Sequence, residues 1–209
     1  DIDNDGDLDL VVCGGKEAAG DPIPSSIQSK NYLISEAEDV DPAYTYVYLN
    51  NGTSLIKSSD YSDNLTDVGV ASCELSDLDN DGDLDLVVTG EDTSSSKYSK
   101  VYINNGTSLI ENTAWQSNLT GVEYSDNVLG DIDNDGDLDL ILTGQSAAGL
   151  ISKVYINNGT SLVENTTWQS NLTNIYVGSS VLGDIDNDGD LDLVVTGNDI
   201  GDVNPVSYT

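Results

Sequence analysis

Apolar residues in this chain come in short runs, and no segment sustains the 3.6-residue spacing of an amphipathic helix. The runs are rich in Val, Ile, Leu and Tyr and are bounded by turns of fixed composition, which predicts strands and little helix. One kind of run follows each Asp-rich segment, as in Leu8-Asp9-Leu10-Val11-Val12. Another recurs as Val47-Tyr48-Leu49-Asn50-Asn51-Gly52-Thr53-Ser54-Leu55, as Val101 to Leu109 and as Val154 to Leu162. Asn-Gly between two β-rich runs predicts a hairpin, because both residues tolerate positive φ.

Taken together, these runs define a repeating unit. In its third copy the pattern predicts a strand near Ser125 to Leu129, an acidic loop, a strand Leu138 to Thr143, a strand Lys153 to Ile156, the Asn-Gly turn, and a strand Ser161 to Asn165. Four antiparallel strands in about 53 residues make a propeller blade. The expected fold is all-β, with about four β-propeller blades forming an arc of a larger propeller or an array. Blade 1 covers residues 1–66 and lacks its first strand, blade 2 covers 67–120, blade 3 covers 121–173, and blade 4 covers 174–209 and is incomplete. An insertion of about residues 16–43 in blade 1 holds three of the four prolines, and residues 20–46 are the expected partner contact because loops of that length are functional or mobile. An aromatic after the last strand of each unit, Tyr61, Trp115 and Trp168, is expected to pack between neighbouring blades rather than to stack on a ligand.

The acidic segments carry the chemistry. They begin at Asp1, Asp77, Asp131 and Asp184, and each places Asp at relative positions 1, 3, 5, 7 and 9 with Gly at 6. The full sets are Asp1, Asp3, Asp5, Asp7 and Asp9; Asp77, Asp79, Asp81, Asp83 and Asp85; Asp131, Asp133, Asp135, Asp137 and Asp139; and Asp184, Asp186, Asp188, Asp190 and Asp192. A hard divalent cation takes six to eight oxygens at about 2.3–2.6 Å, so a short chain must curl around it, and glycine permits the sharp turn. Carboxylates from positions 1, 3, 5 and 9 are the expected ligands. Position 7 is expected to give its backbone carbonyl and to leave its carboxylate free or on a metal-bound water. An EF-hand would need a bidentate Glu at position 12, where this chain has Val12, Val88, Leu142 and Val195. The sequence therefore predicts about four Ca²⁺ ions, one per loop.

Charge narrows the partners. The chain has 38 acidic residues against six lysines, no arginine and no histidine, for a net charge of −32. Four Ca²⁺ would bring that to −24, so metal explains where the acid clusters without neutralising the chain. Nucleic acid and anionic membranes both need a basic footprint and are excluded as partners. No apolar stretch approaches the roughly 18–20 residues of a membrane span, so no membrane insertion is expected in this segment. The first residues lie inside a motif, which reads as a mature or truncated piece whose targeting segment lies elsewhere. Cys13 and Cys73 are either a disulfide or two buried thiols.

Asp77 to Gly90 and Val128 to Leu140 resemble the FG-GAP/VCBS repeats of integrin α-subunit propellers and of many microbial surface proteins. The resemblance covers nearly the whole chain except the insertion. It implies a β-propeller with Ca²⁺ in the loop between the first and second strands of each blade, held by the aspartates named above. The chain departs from the pattern in having no Phe-Gly and no Gly-Ala-Pro, and in supplying about four blades where the family commonly has seven.

Seven Asn-x-Ser/Thr sequons, at Asn51, Asn64, Asn105, Asn118, Asn158, Asn165 and Asn171, point to an exported N-glycoprotein. The leading expectation is an extracellular, calcium-stabilised structural or adhesive module of a cell-surface or filament-forming protein. Its partners would be other copies of itself, neighbouring repeats, or surface glycans and proteins. An integrin-like receptor head is the second reading. Catalysis, as a carbohydrate-active enzyme or its accessory domain, is the third and is not favoured: there is no histidine, arginine or Gly-x-Ser-x-Gly, and the carboxylates are committed to metal.

Overall fold

A computed structural model describes residues 1–15 and 43–199 and the backbone of a strand at 206–208. The insertion expected to contact a partner lies almost entirely at residues 16–42, outside the described residues. Repeat 1 contributes β1 (Leu10–Gly14), β2 (Tyr44–Asn50), β3 (Leu55–Lys57) and a single helical turn α1 (Ser59–Ser62). Repeat 2 contributes β4 (Gly69–Ser76), β5 (Asp85–Glu91), β6 (Lys97–Asn104), β7 (Leu109–Glu111) and α2 (Thr113–Gln116). Repeat 3 contributes β8 (Val122–Gly130), β9 (Asp139–Ser146), β10 (Gly149–Asn157), β11 (Leu162–Glu164) and a 3₁₀ turn (Trp168–Asn171). Repeat 4 contributes β12 (Tyr176–Gly183), β13 (Asp192–Asn198) and β14 (Val206–Tyr208).

Consecutive strands within each repeat pair antiparallel, and one pair, Tyr98 with Val122, links the sheets of repeats 2 and 3. The sheets stack face to face in chain order: β1 lies against β4, β4 against β8, and β8 against β12. This is an all-β, propeller-like succession of blades, and among the described residues the strands do not close into a barrel.

Stacking explains the apolar run within the second strands of repeats 2 and 3, Leu86-Val87-Val88 and Leu140-Ile141-Leu142. Leu86 and Val88 pack with Ile2, Val47 and Tyr61 against repeat 1, while the intervening Val87 packs with Leu140, Leu142 and Tyr155 against repeat 3. Ile141 then faces repeat 4 with Ile132 and Val154. A strand with a neighbour on both faces reads as a continuous apolar run, and each such side chain contributes roughly 1.5–3 kcal/mol on burial. Tyr61 and Trp115 are buried in the first two of these joints as expected, whereas Trp168 is 46 % exposed.

The first strand of repeats 2, 3 and 4 is bent at one place. Val70, Tyr124 and Val177 take positive φ (+44°, +47° and +48°), and the register slips between Gly69 and Ser72, Glu123 and Asp126, and Tyr176 and Ser179. The Thr-Gly pair on the next strand is built around this β-bulge. Thr89, Thr143 and Thr196 donate from Oγ1 to the carbonyls of Ser72, Asp126 and Ser179 at 3.2–3.4 Å. A Cβ on Gly90 would lie 2.7 Å from the Gly69 carbonyl oxygen, and one on Gly144 2.9 Å from that of Glu123, so only glycine fits beside the bulge.

Candidate metal centres

In repeats 2 to 4 the acidic loop runs from the end of the first strand to the start of the second, and in repeat 1 it leads into β1; in all four the Asn at position 4 and the Gly at position 6 are at positive φ (Asn80 +59°, Gly82 +98°). That curl is pinned from inside by the position 1 carboxylate. Asp77 accepts the backbone N–H groups of Asp81 and Gly82, both at 3.0 Å, and Asp1, Asp131 and Asp184 repeat the pair at 2.9–3.1 Å. The position 5 carboxylate takes the N–H of position 7 at 2.9 Å in all four loops.

The position 9 aspartate ties the loop to the hairpin of the same repeat. Asp85 accepts the N–H of Leu78 at one oxygen and that of Asn104 at the other, both at 2.8 Å. Asp139 does the same with Ile132 and Asn157, and Asp9 with Ile2 and Asn50. Asp85 and Asp139 are fully buried, and burial pushes their carboxyls up, that of Asp85 to about 6, against the opposing pull of those two N–H donors. Asp79 and Asp133 are also raised, first by desolvation and then by the charge of the neighbouring Asp81 or Asp135.

These curls bring carboxylates together. Oxygens of Asp77, Asp79 and Asp85 lie within 4.8 Å of one another, as do those of Asp131, Asp133 and Asp139 and of Asp184, Asp186 and Asp192; in the first loop the trio is Asp1, Asp3 and Asp5. The donors are all hard oxygens, one member of the trio in repeats 2 and 3 is buried with no cationic side chain beside it, and the set suits Ca²⁺. The residues that would hold the ion are positions 1, 3 and 9 in the last three loops and positions 1, 3 and 5 in the first. In the other three loops the position 5 aspartates Asp81, Asp135 and Asp188 stand outside the trio.

Position 7 departs from expectation. The sequence leaves its carboxylate free or on a metal-bound water, but in three loops it accepts a hydrogen bond from the preceding repeat. Asn4 Nδ2 donates to Asp83 at 2.6 Å, Asn80 to Asp137 at 2.7 Å and Asn134 to Asp190 at 2.8 Å. Sequence reasoning missed the Asn at position 4, and the signal was there, since it recurs in every loop where many polar residues would satisfy a turn.

Three further bonds of one pattern cross each of the first two joints. Asn104 Nδ2 donates to the Ile2 carbonyl at 2.9 Å and Asn157 Nδ2 to that of Leu78 at 3.0 Å. The Tyr102 hydroxyl accepts the Thr66 N–H at 2.8 Å and donates to Thr66 Oγ1 at 3.0 Å, and Tyr155 meets Thr120 in the same way at 3.1 Å. Thr66 and Thr120 are the threonines of the Asn-Leu-Thr sequons, so that triplet has a structural role in repeats 1 and 2.

The other sequons also sit in built turns. Asn51, Asn105 and Asn158 are exposed at hairpin tips, where each Oδ1 accepts from the following Thr N–H and Oγ1 and from the Ser N–H at 2.7–3.1 Å. Asn64 and Asn171 are exposed; Asn118 is exposed but donates to the Leu162 carbonyl at 3.2 Å; Asn165 is half-buried and caps the 3₁₀ turn. Cys13 and Cys73, both half-buried, meet across the first joint, and the hydrogen bond with Cys73 followed by burial holds the Cys13 thiol well above its ordinary value. Among the described residues no helix is long and apolar enough to cross a membrane.

Residues 77–142 and 131–195 each match the family described as FG-GAP-like repeat. The two matches together run from the metal loop of repeat 2 through repeat 3 to the metal loop and the start of the second strand of repeat 4.

Proposed function

The chain belongs to the FG-GAP-like repeat family, and from that premise we propose that it is a calcium-stabilised structural and adhesive module of an extracellular cell-surface or filament-forming protein. The observation that carries this reading is the gathering of three carboxylates within 4.8 Å in each of four loops. Like charges held that close repel, and a divalent cation supplies the compensating charge. Binding to the folded loop alone then becomes folding free energy.

The chain's own side chains do the positioning. Position 1 holds the loop curled, position 9 fixes it to the hairpin, and positions 4 and 7 fix it to the neighbouring blade. No nucleophile with an activating base stands among them, which supports a scaffold over an enzyme. Extracellular modules bind Ca²⁺ at about 10⁻⁴–10⁻³ M, which suits permanent loading outside a cell. N-glycosylation belongs to the same reading. The hairpin-tip Asn51, Asn105 and Asn158 favour it, because the turn uses Oδ1 and leaves Nδ2 to carry a glycan.

Calorimetric titration of the metal-free chain with CaCl₂ tests the proposal, with melting curves recorded in Ca²⁺ and in excess chelator. The expected result is saturable binding at about four sites and a cooperative loss of melting temperature on chelation. A curve indifferent to chelator would overturn it. Intact mass before and after deglycosylation of native material tests the glycans, and electron micrographs of that material test the filament.

A further inference from the structure

We infer that the metal loops of neighbouring repeats load cooperatively, and that Asn157 is the residue that couples the loop at Asp77 (loop 2) to the loop at Asp131 (loop 3). The inference rests on the calcium reading above and deepens it by stating how one site regulates the next.

Buried hydrogen bonds at the second joint form one unbroken path between carboxylates that would hold different ions. Asp85, of the loop 2 trio, accepts the Leu78 N–H at 2.8 Å. The carbonyl of the same Leu78 accepts from Asn157 Nδ2, across the joint, at 3.0 Å. The backbone N–H of Asn157 then donates to Asp139, of the loop 3 trio, at 2.8 Å. Asp85, Leu78, Asn157 and Asp139 are each no more than 1 % exposed, so water does not compete for these groups. The Asn157 side chain is fully committed: Nδ2 also donates to the Leu138 carbonyl at 3.2 Å, and Oδ1 accepts the Gly159 N–H at 2.9 Å. The first joint holds the same path, from Asp9 through Ile2 and Asn104 to Asp85.

The sign of the coupling follows from ordering. In an empty loop the gathered carboxylates repel one another and loosen the curl. An ion in loop 2 holds Asp85, and with it the Leu78 peptide, the Asn157 side chain and the N–H that fixes Asp139. The ion entering loop 3 then meets a ligand already in place and loses less free energy to ordering, which is positive cooperativity without a shared ligand. By linkage the same factor applies from loop 3 back to loop 2. Charge acts the other way, because each bound ion makes the neighbouring site less anionic. That through-space effect is screened by salt, whereas the buried path is not. The bond from Asn80 to Asp137 is a second tie between the loops, and its exposure makes it the weaker one.

Calcium titration followed by NMR in about 0.5 M NaCl, where the opposing charge effect is screened, tests this. The Gly136 amide, held by Asp131, reports loop 3, and the Gly82 amide, held by Asp77, reports loop 2. Asp79→Ala removes an exposed member of the loop 2 trio without touching the path and is expected to leave that loop empty. In the otherwise unaltered chain it should weaken Ca²⁺ binding at loop 3 about fivefold. With Asn157→Ala also present, Asp79→Ala should leave loop 3 unchanged. Asn157→Ser keeps a donor in the buried site but is too short to reach both loops, and it serves as a milder variant with the same expectation. On an Asn80→Gly background the fivefold effect should persist. A loop 3 affinity indifferent to Asp79→Ala, an effect that survives loss of the Asn157 side chain, or one that vanishes with Asn80→Gly alone would overturn the inference while leaving the calcium reading intact. Glycine amides that do not move with Ca²⁺ would overturn both together.

Discussion

Asn80 donates to the carboxylate of Asp137 at 2.7 Å, a bond between residues 57 apart in sequence that fastens one acidic loop to the next. Hydrogen bonds to charged groups contribute about 1.5–3 kcal/mol when shielded, and less on an exposed loop such as this. Asn80→Gly removes the side chain while keeping the φ of +59° and is expected to cost about 1 kcal/mol. Asn80→Ala adds left-handed strain of roughly 1–2 kcal/mol. Thermal melts of both and of the unaltered chain in saturating Ca²⁺ check the order, Ala worse than Gly and Gly worse than the unaltered chain; a Gly variant that melts with the unaltered chain would remove the bond from the account.

The bulge makes its own demand. Gly144 has φ +147°, and a Cβ there would lie 2.9 Å from the Glu123 carbonyl oxygen and 3.1 Å from Ser125. Gly144→Ala is therefore expected to destabilise repeat 3 by about 1–3 kcal/mol. Gly149→Ala, with φ +129° but open space around it, should cost less. Denaturant melts of the pair separate backbone strain from the close approach.

Metal-free stability should respond to pH in the direction opposite to that of a salt-bridged protein. The folded-state value of Asp85 is raised from 3.8 to about 6, so between those values the native state binds more protons than the unfolded chain. Stability of the chelated protein is then expected to fall as pH rises from about 4 to about 6, with the raised Asp139, Asp79 and Asp133 adding in the same direction. Ca²⁺ binds the ionised form and should reverse the slope. Melting temperature against pH, with and without the ion, gives the two signs.

Position 9 can be separated from position 5 by substitution. Asp85→Asn keeps an acceptor for only one of the Leu78 and Asn104 N–H groups and turns an amide NH₂ toward the other in a buried site, so it is expected to abolish Ca²⁺ binding at the second loop and to lower metal-free stability. Asp81→Asn, at a carboxylate outside the cluster, should weaken binding less. Calorimetric stoichiometry decides between one lost site and none.

Cys13 and Cys73 allow a check on the first joint. With its thiol held well above the ordinary value, Cys13 is expected to react slowly with iodoacetamide at pH 8 and faster as pH rises. Treatment with a disulfide donor should cross-link the two, and the bridge should add about 4 kcal/mol by the chain-entropy estimate for a loop of that length. Peptide mapping of the oxidised protein reads the link directly.

Much of this molecule is legible in its sequence because each signal is local and repeated. The acidic loops, the Asn-Gly hairpins and the apolar strands each announce themselves within a dozen residues, and the structure places them where the spacing implies. The joints are harder to read. Asn80 meets Asp137, Tyr102 meets Thr66, and Asn157 meets the Leu78 carbonyl, and no local rule links residues so far apart. The same distance hid the purpose of Thr-Gly, which reads as the end of a strand until the bulge of the neighbouring strand is seen against it. The Asn-Leu-Thr triplets looked like modification signals alone because their threonines answer to a tyrosine in the next repeat.

Each acidic loop carries both an Asn and an Asp on a single short curl, so repeats 2 and 3 are each at once donor to the repeat after and acceptor from the one before. A whole unit can be duplicated or deleted by recombination without designing a new contact, since the flanking units rejoin through the same residues. Because the loops at Asp1, Asp77, Asp131 and Asp184 are near-identical, a unit added or removed would leave interchangeable contacts on either side.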